Sequence, residues 1–512
     1  MNVGSLVARH ARYRGDHLAL VCDDRRFTFT QLAARVNRLA NAFVSLGLQK
    51  GDKLAVVMPN CEDVLVTYWA AIQIGLVLVP LSPLLRGPAL ASLLKDSDSV
   101  ALVLADSMAD EVDAIRQELT AIRTDRYIKL GGSARGGYQN YNALIDAQSA
   151  AAPPFVDIVD EDVFNIIYSS GTTGLPKGIV HTHYTRANYC SLFASTWRMT
   201  PESVVMHAGS LVFNGAFCTL MPALLLGTTY VLQPRFDAQE FINIVEREKV
   251  THIMMVPSQI IAVMNAPNFS PEKLRTLQML GSVGAPLHRE HKDRLTSALP
   301  GVFYELYGLT EGVITVLDKD DVARKTGSVG GPQPFFEIRI VGEEGIDVPV
   351  GEVGEIVGRS PFLTTGYYKR PDLTSAAIRD GWMFTGDMGY LDADGYLYLV
   401  DRKKDLIISG GVNVYPKDIE EVVVTHPDVL EAAVFGVPSD KWGEAPLGAV
   451  VLKPGCTTEA ATLKAWVNER VGARYQQLHD VVILSEFPRN AAGKTLKRVM
   501  RDEYWKGRTE QI

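Results

Sequence analysis

Residues 168–178 read YSSGTTGLPKG, between the mostly apolar runs 163–167 and 179–180. Glycines let backbone N–H groups come close to an anion, and the hydroxyls and Lys177 add further donors. Such a stretch suits a polyphosphate. It is not the Walker A pattern, because Leu175 and Pro176 separate Gly174 from Lys177 and Gly178 follows the lysine. That order argues against a P-loop kinase or ATPase. The bland alternative is a flexible surface loop, which this donor density between two core-like segments disfavours.

Three later segments carry complementary groups. YGLTEG (307–312) follows a strand pattern and sets Thr310 beside Glu311. Alone it could simply start a helix. GWMFTGDMG (381–389) puts Asp387 in an expected turn, where a carboxylate can accept two ribose hydroxyls. PRNAAGKTLKR (488–498) holds Lys494 in a small-residue loop, where a lysine alone would be solvated. His181 and His183 in VHTH lack a third ligand and read as a polar loop rather than a metal site.

The elements that must position these groups alternate between helix and strand. Leu32, Val36, Leu39, Phe43 and Leu46 share one face of a helix over 31–46, which Gly47 is placed to end. Strands at 54–57, 76–79 and 100–104 alternate with helices at 63–74 and 88–95, and Pro80 is expected to stop the second strand. The rhythm recurs as helix 239–248, strand 252–256, helix 288–299 and strand 302–305. It predicts a parallel sheet with helices on both faces. Residues 211–232 carry no charge but are broken by Asn214, Pro222, Gly227, Thr228 and Thr229, so they read as a buried helix followed by a core strand. From about 326 short alternating strands, among them 337–341 and 354–357, predict an antiparallel, barrel-like region. The charge run 402–405 precedes a fresh α+β pattern. The fold class is therefore α/β: a large N-terminal domain (1–401) with parallel α/β subdomains and a barrel-like subdomain, then a small α+β C-terminal domain (402–512).

Taken together and in order, the 168–178 loop, Tyr307 to Glu311, Thr385-Gly386-Asp387, residues 401–416 and Gly493-Lys494 resemble the acyl- and aryl-CoA synthetase branch of the AMP-forming adenylating enzymes. The resemblance covers nearly the whole chain. It implies ATP, Mg²⁺ and coenzyme A as cofactors and co-substrates, and a carboxylic acid that is adenylated and then passed to a thiol. It implies that Ser169, Ser170, Thr172, Thr173 and Lys177 hold the β- and γ-phosphates, that Thr310 touches the α-phosphate, and that Glu311 carries Mg²⁺. Gly284, Ala285, Pro286 and Tyr307 wall the adenine; Asp387 and Arg402 bind ribose. Lys494 bridges the carboxylate and α-phosphate, and the C-terminal domain, which is mobile in that family, turns about a hinge at Lys404. Gly410 and Gly411 line the thiol path, and Trp442 stacks on the CoA adenine.

The chain departs from relatives at two places. In GSLVFNGAF (209–217) Val212 stands where many have a histidine. Val212, Phe213, Asn214 and Phe217, with Val283 and Gly284, read as an acyl-pocket wall without Arg or Lys, so the expected acid is an apolar monocarboxylic acid, fatty or aryl. Core packing is an equal reading for any one of them. Near the C-terminus Tyr475 is followed by Gln476-Gln477 rather than a basic pair, which weakens the CoA nucleotide site unless Arg474 compensates. A stand-alone enzyme that loads a carrier protein is the alternative, although no fused carrier domain is expected. A scaffold that keeps the fold without the chemistry is disfavoured by the presence of Lys177, Glu311, Asp387 and Lys494. Composition adds exclusions. A net charge of -8 offers no footprint for nucleic acid. Five cysteines without a CxxC pair fit free thiols in a reducing cytoplasm, and no signal peptide or transmembrane segment is expected. The family resemblance allows a monomer or a homodimer.

Overall fold

The computed structural model of the chain describes residues 1–169, 176–402, 405–409, 412–439, 441–489 and 495–506. Local sequence explains where the main helices begin and end. Helix Phe29–Ser45 starts on a capping box, in which the Thr28 hydroxyl accepts from the Gln31 N–H and the Gln31 side chain accepts from the Thr28 N–H. Its buried face carries Leu32, Val36, Leu39 and Phe43. The chain leaves through Gly47 at φ +72°, where only glycine avoids a Cβ penalty. Residues 211–232 bury as helix Asn214–Leu226 and strand Thr229–Leu232, with Pro222 inside the helix. Among the described residues no helix is long and apolar enough to cross a membrane.

Four sheets are formed by the described residues. In one, Tyr127–Leu130, Ser99–Ala105, Lys53–Val57, Val77–Pro80 and Val163–Ser169 lie side by side and parallel. Lys177–Thr182 then returns antiparallel on Val163–Ser169, pairing Ser169 with Lys177. Pro80 stops its strand, as expected, and is itself the last residue of it, opposite Val56. The N–H of Leu81 continues the ladder to the Val56 carbonyl, so the missing proline donor is not needed. A second sheet runs parallel from Leu18–Cys22 through Thr229–Leu232, Val204–His207, His252–Met255 and Met279–Val283 to Phe303–Gly308, with antiparallel strands at both edges. One continuous apolar core joins residues of both sheets (Leu54, Val56, Leu78; Val205, Leu232, Met254) with those of the helices between them.

The region expected to be barrel-like is a five-stranded antiparallel sheet built on Trp382–Leu391. Residues beyond 405 form a separate sheet, Ile407–Ser409, Val412–Val414, Val429–Ser439, Gly443–Leu452 and Asp480–Leu484, with its own apolar clusters.

Candidate active site

Asp387 lies not in a turn, as expected, but inside strand Trp382–Leu391. There the ladder bulges: Glu355 faces Met388 and Val357 faces Phe384, so Thr385, Gly386 and Asp387 stand opposite Ile356 alone. The Thr385 hydroxyl donates to the Ile356 carbonyl at 2.7 Å and accepts the Asp387 N–H at 3.0 Å. This bulge aims the buried Asp387 carboxylate at two neighbours. Tyr307, near the end of strand Phe303–Gly308, donates its phenol to Oδ2 at 2.8 Å, and Arg402 Nε lies 3.4 Å from Oδ1. Burial, then the Asp387 charge, holds the Tyr307 phenol well above its ordinary range, so it remains a donor.

After Gly308 the chain does not start a helix. It makes a tight turn into strand Ile314–Leu317, with the Gly312 N–H on the Leu309 carbonyl. Gly312 sits at φ +113°, and a Cβ there would lie 2.3 Å from the Phe362 carbonyl oxygen, so the turn accepts only glycine. The turn presents Thr310 and Glu311, both half-buried. Tyr367, which the sequence reading did not single out, donates its phenol to Glu311 Oε1 at 2.8 Å, and the Lys177 ammonium lies 4.9 Å from the same ring. Burial, then the Glu311 charge, raises the Tyr367 phenol far above its usual range. Backbone bonds lock this arrangement: Thr364 N–H to the Glu311 carbonyl at 2.8 Å and Tyr368 N–H to the Gly178 carbonyl at 2.7 Å. Lys177, Glu311 and Tyr367 thus converge, although they come from three segments far apart in sequence.

The VHTH segment is not the expected polar loop. His181 is buried on strand Lys177–Thr182, and His183, also buried, opens helix His183–Thr196. His181 Nε2 lies 2.9 Å from the Thr310 carbonyl and Nδ1 lies 3.1 Å from Arg186 Nη2. Burial, then the Arg186 charge, pushes His181 well below its ordinary pKa, so the ring is neutral. No group of three metal-ligating side chains occurs among the described residues.

The expected acyl wall is divided. Val212 is buried, and Phe213 and Asn214 are half-buried at the start of helix Asn214–Leu226. Val283 adjoins them: a Cβ on Gly215 would lie 3.8 Å from Val283 Cγ1. Phe217 is a core residue rather than a wall residue. It is fully buried, stacked on Tyr68 with ring centroids 6.4 Å apart, and lies 4.3 Å from the Arg186 guanidinium. The Arg186 guanidinium thus lies behind the wall, fully buried, while the wall residues themselves carry no charge. Gly284, Ala285 and Pro286 follow strand Met279–Val283, with Gly284 at φ +90°. Trp442 is 46% exposed, with the Lys441 ammonium 4.7 Å from its ring. Ser170, Thr172, Thr173, Lys404, Gly410, Gly411 and Lys494 lie outside the described residues.

Comparison with known proteins agrees with this geometry. Residues 7–368 match the model of the AMP-binding enzyme family, and residues 418–494 match that of the AMP-binding enzyme C-terminal domain. The chain is 34% identical over 511 residues to a feruloyl-CoA synthase of Amycolatopsis sp, covering 98% of this chain and 99% of that one. It is 34% identical over 484 residues to the long-chain-fatty-acid–CoA ligase FadD13 of Mycobacterium tuberculosis, covering 94% of each. The crystal structure of ATP-bound MatB from Rhodopseudomonas palustris superposes with a TM-score of 0.89 at 29% identity, covering 99% of both chains.

Proposed function

The chain belongs to the AMP-forming adenylating enzyme family, in its CoA synthetase branch, and from that premise we propose that it is an ATP-dependent acid–CoA ligase acting on an apolar monocarboxylic acid, fatty or aryl. The observation that carries the reading is the convergence of Lys177, Tyr367 and Glu311 beside the Tyr307–Asp387–Arg402 set. One group of residues suits a triphosphate and its cation, the other a ribose.

In the first half-reaction the acid's carboxylate attacks the α-phosphate of ATP, forming an acyl-adenylate and releasing pyrophosphate. An anion must approach a polyanion, so the protein's task is positioning and charge neutralisation. Lys177 meets the β- and γ-phosphates, together with Ser169, Ser170, Thr172 and Thr173. Thr310 orients the α-phosphate. Asp387 accepts from the ribose hydroxyls while Tyr307 and Arg402 hold its carboxylate in place. Mg²⁺ fits the site, because the Glu311 carboxylate is a hard oxygen ligand and this ion takes one or two carboxylates plus phosphates. When bound it neutralises charge on the phosphates. Lys494, from the C-terminal part, bridges the carboxylate and α-phosphate.

In the second half-reaction the thiol of CoA attacks the acyl carbon and AMP leaves. Residues 402–512 act as a mobile domain turning about Lys404 on the body formed by 1–401, bringing Gly410 and Gly411 to the thiol path, with Trp442 against the CoA adenine. Half-buried Phe213 and buried Val212, with Val283 adjoining, support an apolar acid. The fatty-acid and feruloyl specificities of the two relatives support the same class. The enzyme works in the cytoplasm as a monomer or homodimer.

The test is release of pyrophosphate and AMP from Mg-ATP across fatty, aryl and short acids, with and without CoA. CoA-dependent turnover with thioester formation is expected. Pyrophosphate release with a trapped adenylate and no effect of CoA would instead identify a carrier-protein loader.

A further inference from the structure

Arg186 is fully buried, and among the described residues no carboxylate lies within ion-pair distance of it. A buried guanidinium without a counter-charge is costly to desolvate. Its contacts show what the cation does. Nε and Nη2 donate to Asn165 Oδ1 at 3.3 and 3.1 Å, Nη2 also donates to His181 Nδ1 at 3.1 Å, and Nη1 donates to Asn214 Oδ1 at 2.9 Å. Its plane lies over the Tyr189 and Phe217 rings at 4.7 and 4.3 Å.

Guanidinium only donates, so it dictates the polarity of everything it touches. His181 must accept at Nδ1. Being neutral, it carries its proton on Nε2 and donates to the Thr310 carbonyl at 2.9 Å. Asn214 must turn its oxygen to Arg186, which leaves its amide N–H for the Tyr189 hydroxyl at 3.0 Å. Asn165 lies on Val163–Ser169, the strand that leads into the phosphate loop. One side chain therefore ties together three segments: that strand, the first residue of helix Asn214–Leu226, and the turn bearing Thr310 and Glu311.

We propose that Arg186 is a positioning residue that locks the acid-pocket wall at Asn214 to the nucleotide turn at Thr310 through His181, holding the sites of the two reacting anions in one frame. This rests on the function proposed above, which takes the α-phosphate to Thr310, and on the sequence reading of Asn214 as part of the acid-pocket wall.

The experiment is acid-dependent ATP–pyrophosphate exchange with the best acid of the panel, for wild type, Arg186→Met, Arg186→Lys, His181→Leu and the Arg186→Met/His181→Leu double variant, with thermal unfolding of each. Arg186→Met is expected to lower kcat on the order of 100-fold, the scale of an ångström's misplacement, with the KM for ATP changed less than about three-fold. His181→Leu is expected to lower kcat comparably, and the double variant to be little worse than either, because both break one chain of bonds. Arg186→Lys is expected to give no rescue, since one ammonium cannot reach all three acceptors. A folded Arg186→Met with kcat near wild type, or single losses that multiply in the double variant, overturns the inference. Should Arg186→Met fail to fold, His181→Leu and Asn214→Leu with their double variant make the same cycle. No exchange by wild type with any acid overturns the function itself, and this inference with it; exchange by wild type with unaffected variants overturns the inference alone.

Discussion

Two cations set into the protein near the site are treated in opposite ways. Arg186 has only neutral partners: two amides, an imidazole and two aromatic rings. Lys497 faces carboxylates. Its ammonium lies 2.6 Å from Glu420, and the charges of Glu420 and Asp401 hold its pKa up against burial. Amides can turn over and hydroxyls can donate or accept, so the Arg186 partners can rearrange if the cation is lost. Asn165 already has an unpartnered amide nitrogen with which to do so. Ionised carboxylates only accept, so Glu420 and Asp401 cannot turn over to present a donor. The first cluster sits in the body of two parallel sheets and fixes geometry. The second sits where helix Pro416–Val423 meets strand Leu397–Arg402: Asp401 Oδ2 accepts the Lys417 N–H at 3.3 Å and Lys417 Nζ donates to the Leu399 carbonyl at 2.9 Å. It makes the seam of the C-terminal part dependent on charge.

The largest expected effect tests this contrast directly. Lys497→Met leaves Glu420 and Asp401 without their cation. Breaking a buried pair costs about 3–5 kcal/mol; Lys497 is 23% exposed, so about 2–4 kcal/mol is expected. Limited proteolysis around residues 402–417 and thermal unfolding should both show the C-terminal part loosened.

Asp401 offers the next largest. Burial, opposed by Lys497 and reinforced by Glu420, raises its carboxyl to about 6 from 3.8. The docked state therefore binds the proton more tightly than the unfolded chain. The contribution is fully present below pH 3.8 and is lost as pH rises through about 6. Asp401→Asn should abolish it, so the melting temperature of wild type relative to the variant should rise as pH falls from about 6 to about 4, by an amount worth on the order of 1–3 kcal/mol. A difference that is flat with pH would separate Asp401 from the seam. Arg186→Met should cost less stability than either change, about 1–2 kcal/mol, while costing the most in rate. Denaturant unfolding beside the exchange assay reads both. The reverse ranking would make Arg186 an ordinary packing residue.

The same contrast explains what could be read in the sequence. Helix faces, the parallel strands and the buried helix at 214–226 follow from apolar periodicity, which is local. The motif residues Lys177, Thr310, Glu311 and Asp387 were visible because their types are unusual in their immediate surroundings. Asp387 was misplaced in a turn because glycine marks a bulge as readily as a turn, and only the partner strand decides between them. Tyr367, Arg186 and Asn165 belong to no motif. Each acts through a partner that is distant in sequence: 56 residues for Tyr367 and Glu311, 21 for Arg186 and Asn165. A lone polar residue in an apolar run, such as Asn165 within VFNIIYS or Arg186 in a helix with little amphipathic character, was the available hint.

Glu311 combines the two treatments: it is a carboxylate held by a neutral donor. Tyr367→Phe keeps the ring that Lys177 overlies and removes only the O–H on Glu311 Oε1. The carboxylate is half-buried, so water can replace the phenol, and the loss should be about 1 kcal/mol or less in stability. Its consequence should appear instead at the cation. A carboxylate no longer held by its neighbour has to be ordered when Mg²⁺ binds, and the Mg²⁺ concentration for half-maximal pyrophosphate release should rise on the order of five-fold. Titration of Mg²⁺ at fixed ATP measures it. If the midpoint is unchanged, the Tyr367 hydroxyl does not govern how Glu311 meets the cation, and a neutral donor at this site contributes to packing alone; if it shifts as expected, neutral hydrogen bonds set the geometry on the nucleotide side of the molecule while paired charges set the docking of its C-terminal part.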